Sequence, residues 1–519
     1  MTRDPVRLEV FQQILSAICD ESGVALQRSA ISPNIRERRD FSVALFDASA
    51  QLVAQAAHIP VHLGSAGDAV RAAQQAFALN RGDVVVLNDP YAGGTHLPDV
   101  TLVRPIFFGA RAAPSFFLVN RAHHADIGGS VPGSMGVGGD LIAEGLVIPP
   151  IKLRAAGALQ RDVLALIARN VRGANERMID LRAQESSLAL GERRLAALVA
   201  EQGLGAVQRE SERLIGYTTR LARATIAGIP AGTFCSADEL EDDGAGTRHL
   251  AIRLRLVVRR GNLHFDFRGT APAARGSVNA NRSIVLAACV YALRCLCGGR
   301  VPTNEGLFRV ITIRTEPGSL VDPPCGAPVA AGNVETSQRL VDVCLAALAQ
   351  AVPDRIPAAS AGTMTSVSLG GTGPRGSYAF YETLPGGAGA SARRPGCSAV
   401  QTHMTNTRNT PVEAMELAWP VRVRQLDIRR GSGGRGVRAG GDGVVKHYEL
   451  LAAATVSLLA ERHERGPAGA RGAGRGAPGG AHVVMAGRRR KLAAKGSWQL
   501  EAGDQFVVLT PGGGGHGRR

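Results

Sequence analysis

Apolar residues recur at helical spacing at the start of the chain and alternate with polar residues soon afterwards. Residues 5–31 keep apolar side chains three and four positions apart, which predicts a helix. The alternating segment 41–46 and the apolar segment 52–55 flank a turn and predict a β-hairpin. We expect a helix over 66–78 and a buried strand over 83–87 before the chain reaches residue 88.

The pattern changes twice in the rest of the chain. Residues 154–227 are mainly helical with long polar runs, so we expect paired surface helices there. From Ile229 onward apolar and polar residues alternate around a turn at 260–262, which predicts antiparallel strands. Beyond residue 420 the chain is rich in glycine, arginine and short apolar runs, a pattern typical of strands and turns.

Three further elements are predicted between and after these regions. An apolar helix is expected over 283–296, and a strand over 308–314. Thr336 or Ser337 can cap a second helix, which runs on with apolar residues at helical spacing. The terminal glycine run 512–515 is typical of a flexible tail, although it could also bind an anion.

Composition and charge narrow the classes of partner. The net charge is +16 over 519 residues, but almost all of the positive charge is arginine, and aromatic residues make up only 4%. A nucleic-acid-binding surface would combine a basic stripe with stacking aromatic residues, whereas these arginines are dispersed, so we expect no nucleic-acid partner. The N-terminus lacks an apolar signal core, and the most apolar run, 283–297, carries Arg294. We therefore expect no membrane association and a cytoplasmic protein with reduced cysteines.

Candidate metal ligands are concentrated in one glycine- and proline-rich stretch, residues 88–129. They are His96, Asp99, His123, His124 and Asp126. His96 and Asp99 are three positions apart across Pro98, which is incompatible with a regular helix, so the two side chains must converge through a turn. The alternative interpretation of this pair is a structural turn beside a hydrogen-bonded histidine.

The two adjacent histidines continue the strand-like run 116–119. If the segment stays extended, His123 lies on one face of the strand, and His124 lies on the other face with Asp126. Only one of the two histidines should then contact a metal, while the other would orient a ligand or the substrate. The alternative is that both are half-buried strand residues.

A site of histidine and aspartate without thiolate suits Mn, Zn or Fe as the divalent metal. Such a metal acidifies a bound water and polarises a carbonyl, which favours hydrolysis or an enolate-like intermediate. His58 and His62 could line the same cavity or could be core histidines. The sequence contains no GxxxxGK[ST] motif, so any nucleotide chemistry must come from another chain or from a site without that loop.

Two stretches elsewhere carry dense hydrogen-bonding side chains, 333–339 and 402–410. Such side chains could hold an amide or a carboxylate of a substrate, and helix capping and loop stabilisation are the alternative. The candidate substrate-binding residues are Asn333, Glu335, Thr336, His403, Asn406 and Arg408.

The predicted elements define an α+β protein. We expect a large mixed multi-layer fold with a metal-binding N-terminal region and a β-rich C-terminal part. The corresponding division of the chain is an N-terminal metal-site region at 1–153, a helical segment at 154–228, an α/β substrate-binding region at 229–420 and a β-rich region at 421–519.

Several long motifs lie in order along the chain. They are NIRERRDFSVALFD, HIPVHLG, NDPYAGGTHLPDVTLV, NRAHHADIGG, PGSM, EGLVIPPIKL, GNVETSQR and HMTNTRNTP. Together they resemble the hydantoinase B/oxoprolinase family, which includes the B-type subunit of ATP-dependent N-methylhydantoinases, the C-terminal half of 5-oxoprolinases and a subunit of acetone carboxylase-type enzymes. The resemblance extends from about residue 5 to the glycine-rich tail, so the four regions above would form one continuous family domain over about 5–515.

The resemblance implies a set of metal ligands. These are Asp40 from RRDFS, His96 and Asp99 from THLPD, and one histidine of RAHHAD; we take His123, because relatives with a single histidine there keep the first position. His124 and Asp126 are then expected to be catalytic residues that support the ligands. After PGSM the chain reads GVGGDLIAEG where relatives have a segment that ends in two glutamates. Only Glu144 remains there, which puts an acidic role for this segment in doubt.

The resemblance also implies a function. A partner hydantoinase A-type ATPase subunit would use ATP to phosphorylate a small cyclic amide, and this B-type subunit would hydrolyse the activated lactam or hydantoin with a metal-bound hydroxide. A hetero-oligomeric cyclic amidase of the 5-oxoprolinase or N-methylhydantoinase type is therefore expected. The alternatives are a metal-dependent subunit of an ATP-dependent ketone carboxylase, of acetone or acetophenone type, and a non-catalytic assembly subunit.

Overall fold

The N-terminal part of the chain forms an antiparallel sheet that positions most of the candidate ligands. The structure is a computed structural model and describes residues 5–56, 59–299, 301–373 and 376–518. The strands of this first sheet are β1 Phe41–Asp47, β2 Leu52–Gln55, β3 Val84–Leu87, β4 Asp99–Ile106, β5 Phe116–His123, β6 Ile151–Ala155 and β7 Ala158–Leu159. Their order is β2-β1-β5-β4-β3-β6-β7.

The register of this sheet brings three strand ends together. Strand β5 lies between β1 and β4, with Phe41 opposite Ala122 and Asp99 opposite His123. Asp40, the residue before β1, accepts a hydrogen bond from the backbone N–H of His123 on its carbonyl at 3.0 Å. The start of β1, the start of β4 and the end of β5 therefore meet at one edge of the sheet.

Helices cover both faces of the sheet and link it to the rest of the chain. The helices are α1 Pro5–Ser29, α2 Pro33–Arg36, α3 Ala66–Ala76, α4 Leu141–Glu144, α5 Arg161–Asn170, α6 Ala174–Gln202, α7 Leu204–Ala227, α8 Arg282–Cys297, α9 Glu305–Phe308, α10 Ser337–Ala351 and α11 Val412–Ala418. Apolar residues of α1 and α6 pack against one face, including Leu15 and Leu188, and Val70 of α3 packs against the other. No helix in these described ranges is both long and apolar enough to cross a membrane.

Three more sheets follow along the chain. Their strands are β8 Gly232–Asp242, β9 Arg248–Arg259, β10 Asn262–Asp266, β11 Ile311–Arg314, β12 Ser366–Gly373, β13 Gly376–Thr383, β14 Val421–Arg429, β15 Gly443–Leu450, β16 Ala454–Leu459, β17 Gly480–Met485, β18 Arg488–Lys491, β19 Lys495–Leu500 and β20 Gln505–Leu509. The strand orders are β11-β10-β9-β8, β13-β12-β16-β19 and β14-β15-β20-β17-β18. The second sheet packs on α8 and α10 through apolar residues such as Leu254, Leu293 and Leu340.

The architecture confirms the predicted α+β class, with mixed helices and several sheets. The N-terminal helix, the first hairpin and the helix α8 lie where the apolar pattern placed them. The division at residue 420 does not coincide with a gap between sheets, because β12 pairs with β16. The helical segment 154–228 is also more buried than expected, because α6 packs residues such as Leu181 and Leu195 against the first sheet.

Three local predictions were wrong, each for a physical reason. The strand predicted over 308–314 begins only at Ile311, because the residues before it form the short helix α9. Asn304 caps this helix by accepting a hydrogen bond from Gly306 N–H. Neither Thr336 nor Ser337 caps α10 with its side chain; instead, a π-helical turn at Gly332–Thr336 leads into that helix. The glycine run 512–515 is buried and hydrogen-bonded to backbone, for example from Gly513 N–H to Gly441 O at 2.8 Å.

The π-helical turn depends on glycine at position 332. A Cβ atom there would lie 1.7 Å from the carbonyl oxygen of Asn279, so no other residue fits without a shift of the backbone. A π-helical turn is uncommon and is often found at functional sites. This turn also carries Asn333 and Glu335.

We expect Gly332→Ala to lower the free energy of unfolding by roughly 3 kcal/mol, at the upper end for overpacking, because the clash is with backbone. Gly299→Ala is the matched control, since a Cβ atom there would meet nothing within 4 Å. Urea unfolding of the two variants and the unaltered protein measures the difference. Equal unfolding midpoints for all three would contradict the close backbone approach at residue 332.

Candidate metal centre

The carboxylate of Asp99 is the centre of a buried cluster of histidines. Its Oδ1 lies 3.2 Å from His96 Nε2 and 3.3 Å from His123 Nδ1. Its Oδ2 lies 3.2 Å from His62 Nε2 and accepts a hydrogen bond from Thr95 Oγ1 at 2.9 Å. Ligand atoms of His96, Asp99 and His123 all lie within 4.8 Å of one another, as the donors of one metal ion would.

The local sequence explains how the cluster forms. Asp99 opens β4 and His123 ends β5, and these two residues are directly opposite each other in the antiparallel register. His96 lies in the turn before β4, where Pro98 prevents a helix. His62 comes from a short 3-10 turn, Pro60–Gly64, which lies outside the sheet.

The charge states in the cluster suit metal binding. Burial alone would raise the pKa of Asp99, but electrostatic attraction to the His96 and His62 rings and hydrogen bonds from His123 and His62 hold that pKa well below its usual value. Burial lowers the pKa of His123, although its hydrogen bond with Asp99 opposes this shift. An ionised carboxylate and a neutral imidazole are the forms that bind a divalent metal.

Unpartnered polar atoms face the same small cavity. His123 Nε2 and Asn333 Oδ1 are buried without a hydrogen-bond partner. Both residues line a cavity of about 20 Å³, together with Asp40 and Thr405. This is room for about one water-sized group. The orphaned polar atoms and the histidine and carboxylate groups therefore fit a divalent metal that prefers nitrogen and oxygen ligands.

Asp40 lines this cavity and is held by a buried arginine. Arg38 NH2 lies 3.4 Å from Asp40 Oδ2 and also donates a hydrogen bond to Thr383 Oγ1 at 3.2 Å. The guanidinium of Arg38 lies over the ring of Tyr381, 4.9 Å from its centroid, and that ring stacks on His123 at a centroid distance of 4.5 Å. The strand β13 thus supports Asp40 and His123 from a distant part of the sequence.

His124 and Asp126 are not brought into the cavity. His124 Nε2 faces Gln184 Oε1 at 2.9 Å on helix α6, and burial lowers the pKa of His124 to about 4. Asp126 accepts hydrogen bonds from Gly128 N–H at 2.8 Å and from Arg172 NH1 at 3.0 Å. These contacts tie the segment after β5 to the helical region. The role of these two residues in supporting the ligands stays a prediction.

The predicted substrate-binding residues of the π-helical turn have different environments. Asn333 lines the cavity, and its amide nitrogen lies 3.1 Å from His96 Nε2. Glu335 is fully buried; its Oε1 accepts a hydrogen bond from Met364 N–H at 3.3 Å, and its Oε2 has no partner. Thr336 donates a hydrogen bond to the carbonyl of Val278 and does not line the cavity.

The second predicted substrate-binding stretch faces the cavity through other side chains. Asn406 and Arg408 are exposed, whereas Thr405 and Thr407, which alternate with them, are buried. Thr405 lines the cavity. His403 lies beside Asp342 at 3.7 Å, and burial lowers the pKa of its ring. The alternation explains why the threonines of this stretch, and not Asn406 or Arg408, lie on its inner side.

Sequence reasoning left His62 undecided and overlooked Tyr381 and Thr383. The structure places His62 against Asp99, while His58, its suggested companion, lies outside the described residues. Tyr381 and Thr383 line the cavity from a strand more than 250 residues away from His123 in sequence. The stretch ETLPGG at the end of this strand contains no metal-ligand pattern that could have indicated them.

The family of the chain is shown by comparison with known proteins. The model of the hydantoinase B/oxoprolinase family matches residues 4–519. The chain therefore belongs to the hydantoinase B/oxoprolinase family, as its motifs predicted. The crystal structure of the ATP-dependent caprolactamase from Pseudomonas jessenii superposes with a TM-score of 0.92 at 27% identity, covering 100% of this chain and 92% of that chain.

Two relatives differ in how much of their own length this chain matches. The 5-oxoprolinase 1 of Arabidopsis thaliana is 35% identical over 99% of this chain, but the chain spans only 42% of the length of that plant protein. A protein of Pseudomonas sp. strain NS671, named as the B component of a D-/L-hydantoinase, is 30% identical over 90% of this chain and 81% of its own length.

The buried carboxyl group of Glu335 should make the stability of the protein depend on pH. Burial raises the pKa of Glu335 to about 8, because its charged form is poorly solvated. The folded protein then keeps a proton that the unfolded chain loses above its ordinary pKa of about 4.3. The resulting stabilisation is fully present below a pH of about 4.3 and is lost as the pH rises to about 8.

We therefore expect the unaltered protein to lose stability relative to Glu335→Gln by roughly 1.4 kcal/mol per pH unit within this window. Urea unfolding of both proteins at several pH values between about 5 and about 8 gives the difference. Parallel stability curves would show that Glu335 is ionised in the folded protein.

Proposed function

We propose that this protein is the ring-opening, metal-dependent component of an ATP-dependent cyclic amidase, of the 5-oxoprolinase or hydantoinase type. The observation that carries the proposal is the buried cluster of His96, Asp99 and His123. The family membership and the relatives named for 5-oxoprolinase, hydantoinase and caprolactamase support the reaction class, because all three names describe the opening of a cyclic amide.

The chain supplies the ligands for a divalent metal, which we propose to be Mn, Zn or Fe. His96, Asp99 and His123 would hold the ion, and Asp40 lies at the same cavity as a fourth candidate. When bound, such an ion acidifies a water and polarises a carbonyl. The low pKa of Asp99 keeps a negative charge in the cluster at neutral pH.

Other side chains would orient the substrate and exclude solvent. Asn333 carries an unpartnered amide oxygen at the cavity, which can accept a hydrogen bond from a ring N–H. Thr383 and Thr405 place hydroxyl-bearing side chains along the same cavity. The cavity volume of about 20 Å³ is smaller than a lactam ring, and in this proposal the lining segments move apart when substrate binds.

A partner ATPase is part of the proposal. An amide is a poor electrophile, and phosphorylation of its oxygen would make the ring carbon open to attack by water. Cleavage of the C–N bond, with a proton going to the nitrogen, would then open the ring, and a second water would release the phosphate. This chain has no phosphate-binding GxxxxGK[ST] motif. The plant 5-oxoprolinase is more than twice as long as the stretch that this chain matches, and the bacterial relative is named as one component of a larger enzyme, so the ATPase could be fused or separate in the family.

We expect the purified protein to bind about one divalent metal per chain and His96→Ala to lose most of this metal. His249→Ala is the matched control, because His249 is exposed and lies beside Glu239 instead of the cluster. Elemental analysis after dialysis against limiting Mn, Zn or Fe measures the stoichiometry. Equal metal content in both variants would contradict the assignment of the cluster.

We expect ATP-dependent opening of 5-oxoproline or a hydantoin only when an A-type ATPase is added to the metal-loaded protein. The assay follows ring opening and phosphate release with and without the ATPase, and with Asp99→Asn as the inactive reference. Full activity without the ATPase would contradict the two-component proposal. Phosphate release that requires bicarbonate and a ketone, with no ring opening, would instead identify a carboxylase.

A further inference from the structure

Glu144 is a buried carboxylate outside the metal cluster. It ends the short helix α4 and is 2% exposed. Its Oε1 accepts a hydrogen bond from Ala330 N–H at 2.9 Å, and its Oε2 accepts one from Val329 N–H at 3.1 Å. Among the described residues it forms no ion pair, and both of these hydrogen bonds come from the backbone of a single segment.

That segment contacts both ring nitrogens of His96. The carbonyl oxygen of Ala330 lies 3.4 Å from His96 Nδ1. Three residues further along, Asn333 Nδ2 lies 3.1 Å from His96 Nε2. Both oxygens of Glu144 thus hold the backbone that sets the surroundings of a candidate metal ligand.

The hydrogen bond of one ring nitrogen determines what the other can do. A neutral imidazole carries a single N–H. If Nδ1–H of His96 donates to the Ala330 carbonyl, the lone pair is on Nε2, which is the nitrogen that lies 3.2 Å from Asp99 Oδ1 in the cluster. Hydrogen bonds of this kind fix the tautomer and the orientation of a ligating histidine.

Loop stability alone does not explain a glutamate at this position. Burial raises the pKa of Glu144 to about 8, against the opposing effect of the two backbone donors. The cost of ionising this buried group therefore lowers the stability of the fold as the pH rises from about 4.3 towards about 8, which a glutamine would not do. Both oxygens of Glu144 accept from adjacent N–H groups, a pair of contacts that a side-chain amide, with its single acceptor oxygen, cannot make.

We propose that Glu144 is a positioning residue for His96. It holds the backbone of Val329 and Ala330 so that the Ala330 carbonyl keeps the His96 proton on Nδ1 and directs Nε2 into the cluster. This inference rests on the proposed function in one respect, because it takes His96 to be a metal ligand.

The test compares two glutamate-to-glutamine substitutions. Glu144→Gln keeps the size of the side chain but turns one acceptor into a donor that faces a backbone N–H. Glu241→Gln is the matched control, because Glu241 is also buried and accepts backbone N–H groups, from His463 and Glu464 at 2.9 Å each. The segment that Glu241 holds does not line the cavity of the cluster.

We expect Glu144→Gln to weaken Co²⁺ binding by about 10-fold to 100-fold and to change the visible absorption of the bound cobalt. Glu241→Gln should bind Co²⁺ with the affinity and spectrum of the unaltered protein. Circular dichroism shows whether both variants are folded. Unchanged binding in Glu144→Gln, or an equal loss in both variants, would overturn the proposal.

A measurement without metal covers the case in which Glu144→Gln does not fold. Selective ¹⁵N labelling of the 12 histidines reports the tautomer of each ring in the metal-free protein, and a His96→Gln spectrum assigns the signal of His96. We expect Nδ1 of His96 to carry a proton, either as the Nδ1–H tautomer or in the doubly protonated ring next to the Asp99 carboxylate. The Nε2–H tautomer would overturn the inference. If the unaltered protein shows the Nδ1–H tautomer but binds no metal, the proposed function fails and the positioning of His96 stands.

Discussion

The rest of the site depends on the buried carboxylate of Asp99 and its contacts with three histidines. Burial of an isolated charge is costly, and here three histidine rings within 3.3 Å of Asp99 offset that cost. Those rings come from a turn, a strand end and a 3-10 turn, so the first sheet and the segments around it must be correctly packed before the charge is stabilised. A divalent cation between these groups would satisfy the same electrostatic requirement.

The parts of the structure that could be predicted from the sequence are those set by neighbours along the chain. Apolar periodicity predicted α1 and α8, and alternation predicted the β1–β2 hairpin. The same alternation separated His123 from His124, and the structure places their rings in different environments. The proline between His96 and Asp99 likewise indicated a turn. The resemblance to relatives, and not the spacing, added Asp40.

The parts that could not be predicted depend on contacts between distant segments. Nothing near Tyr381 in sequence indicates that its ring will stack on His123, because that contact requires β13 to reach the edge of the first sheet. The π-helical turn depends on the approach of Gly332 to Asn279, which local helix propensity does not describe. Thr405 lines the cavity and Asn406 does not, because of the side of the segment that faces inward. No regular strand sets that side, so the sequence pattern could not predict it.

The small size of the cavity has a consequence for the proposed reaction of an activated amide. A phosphorylated amide is prone to reaction with bulk water, so productive ring opening requires a site from which solvent is excluded. The cavity has a volume of about 20 Å³, room for about one water-sized group, and is lined by side chains from across the chain. In the proposed reaction the lining segments would open to admit the substrate and close before the ring is cleaved. Delivery of the activated substrate by an ATPase component would place that opening under the control of the partner, which is the advantage of dividing phosphorylation and ring opening between two sites.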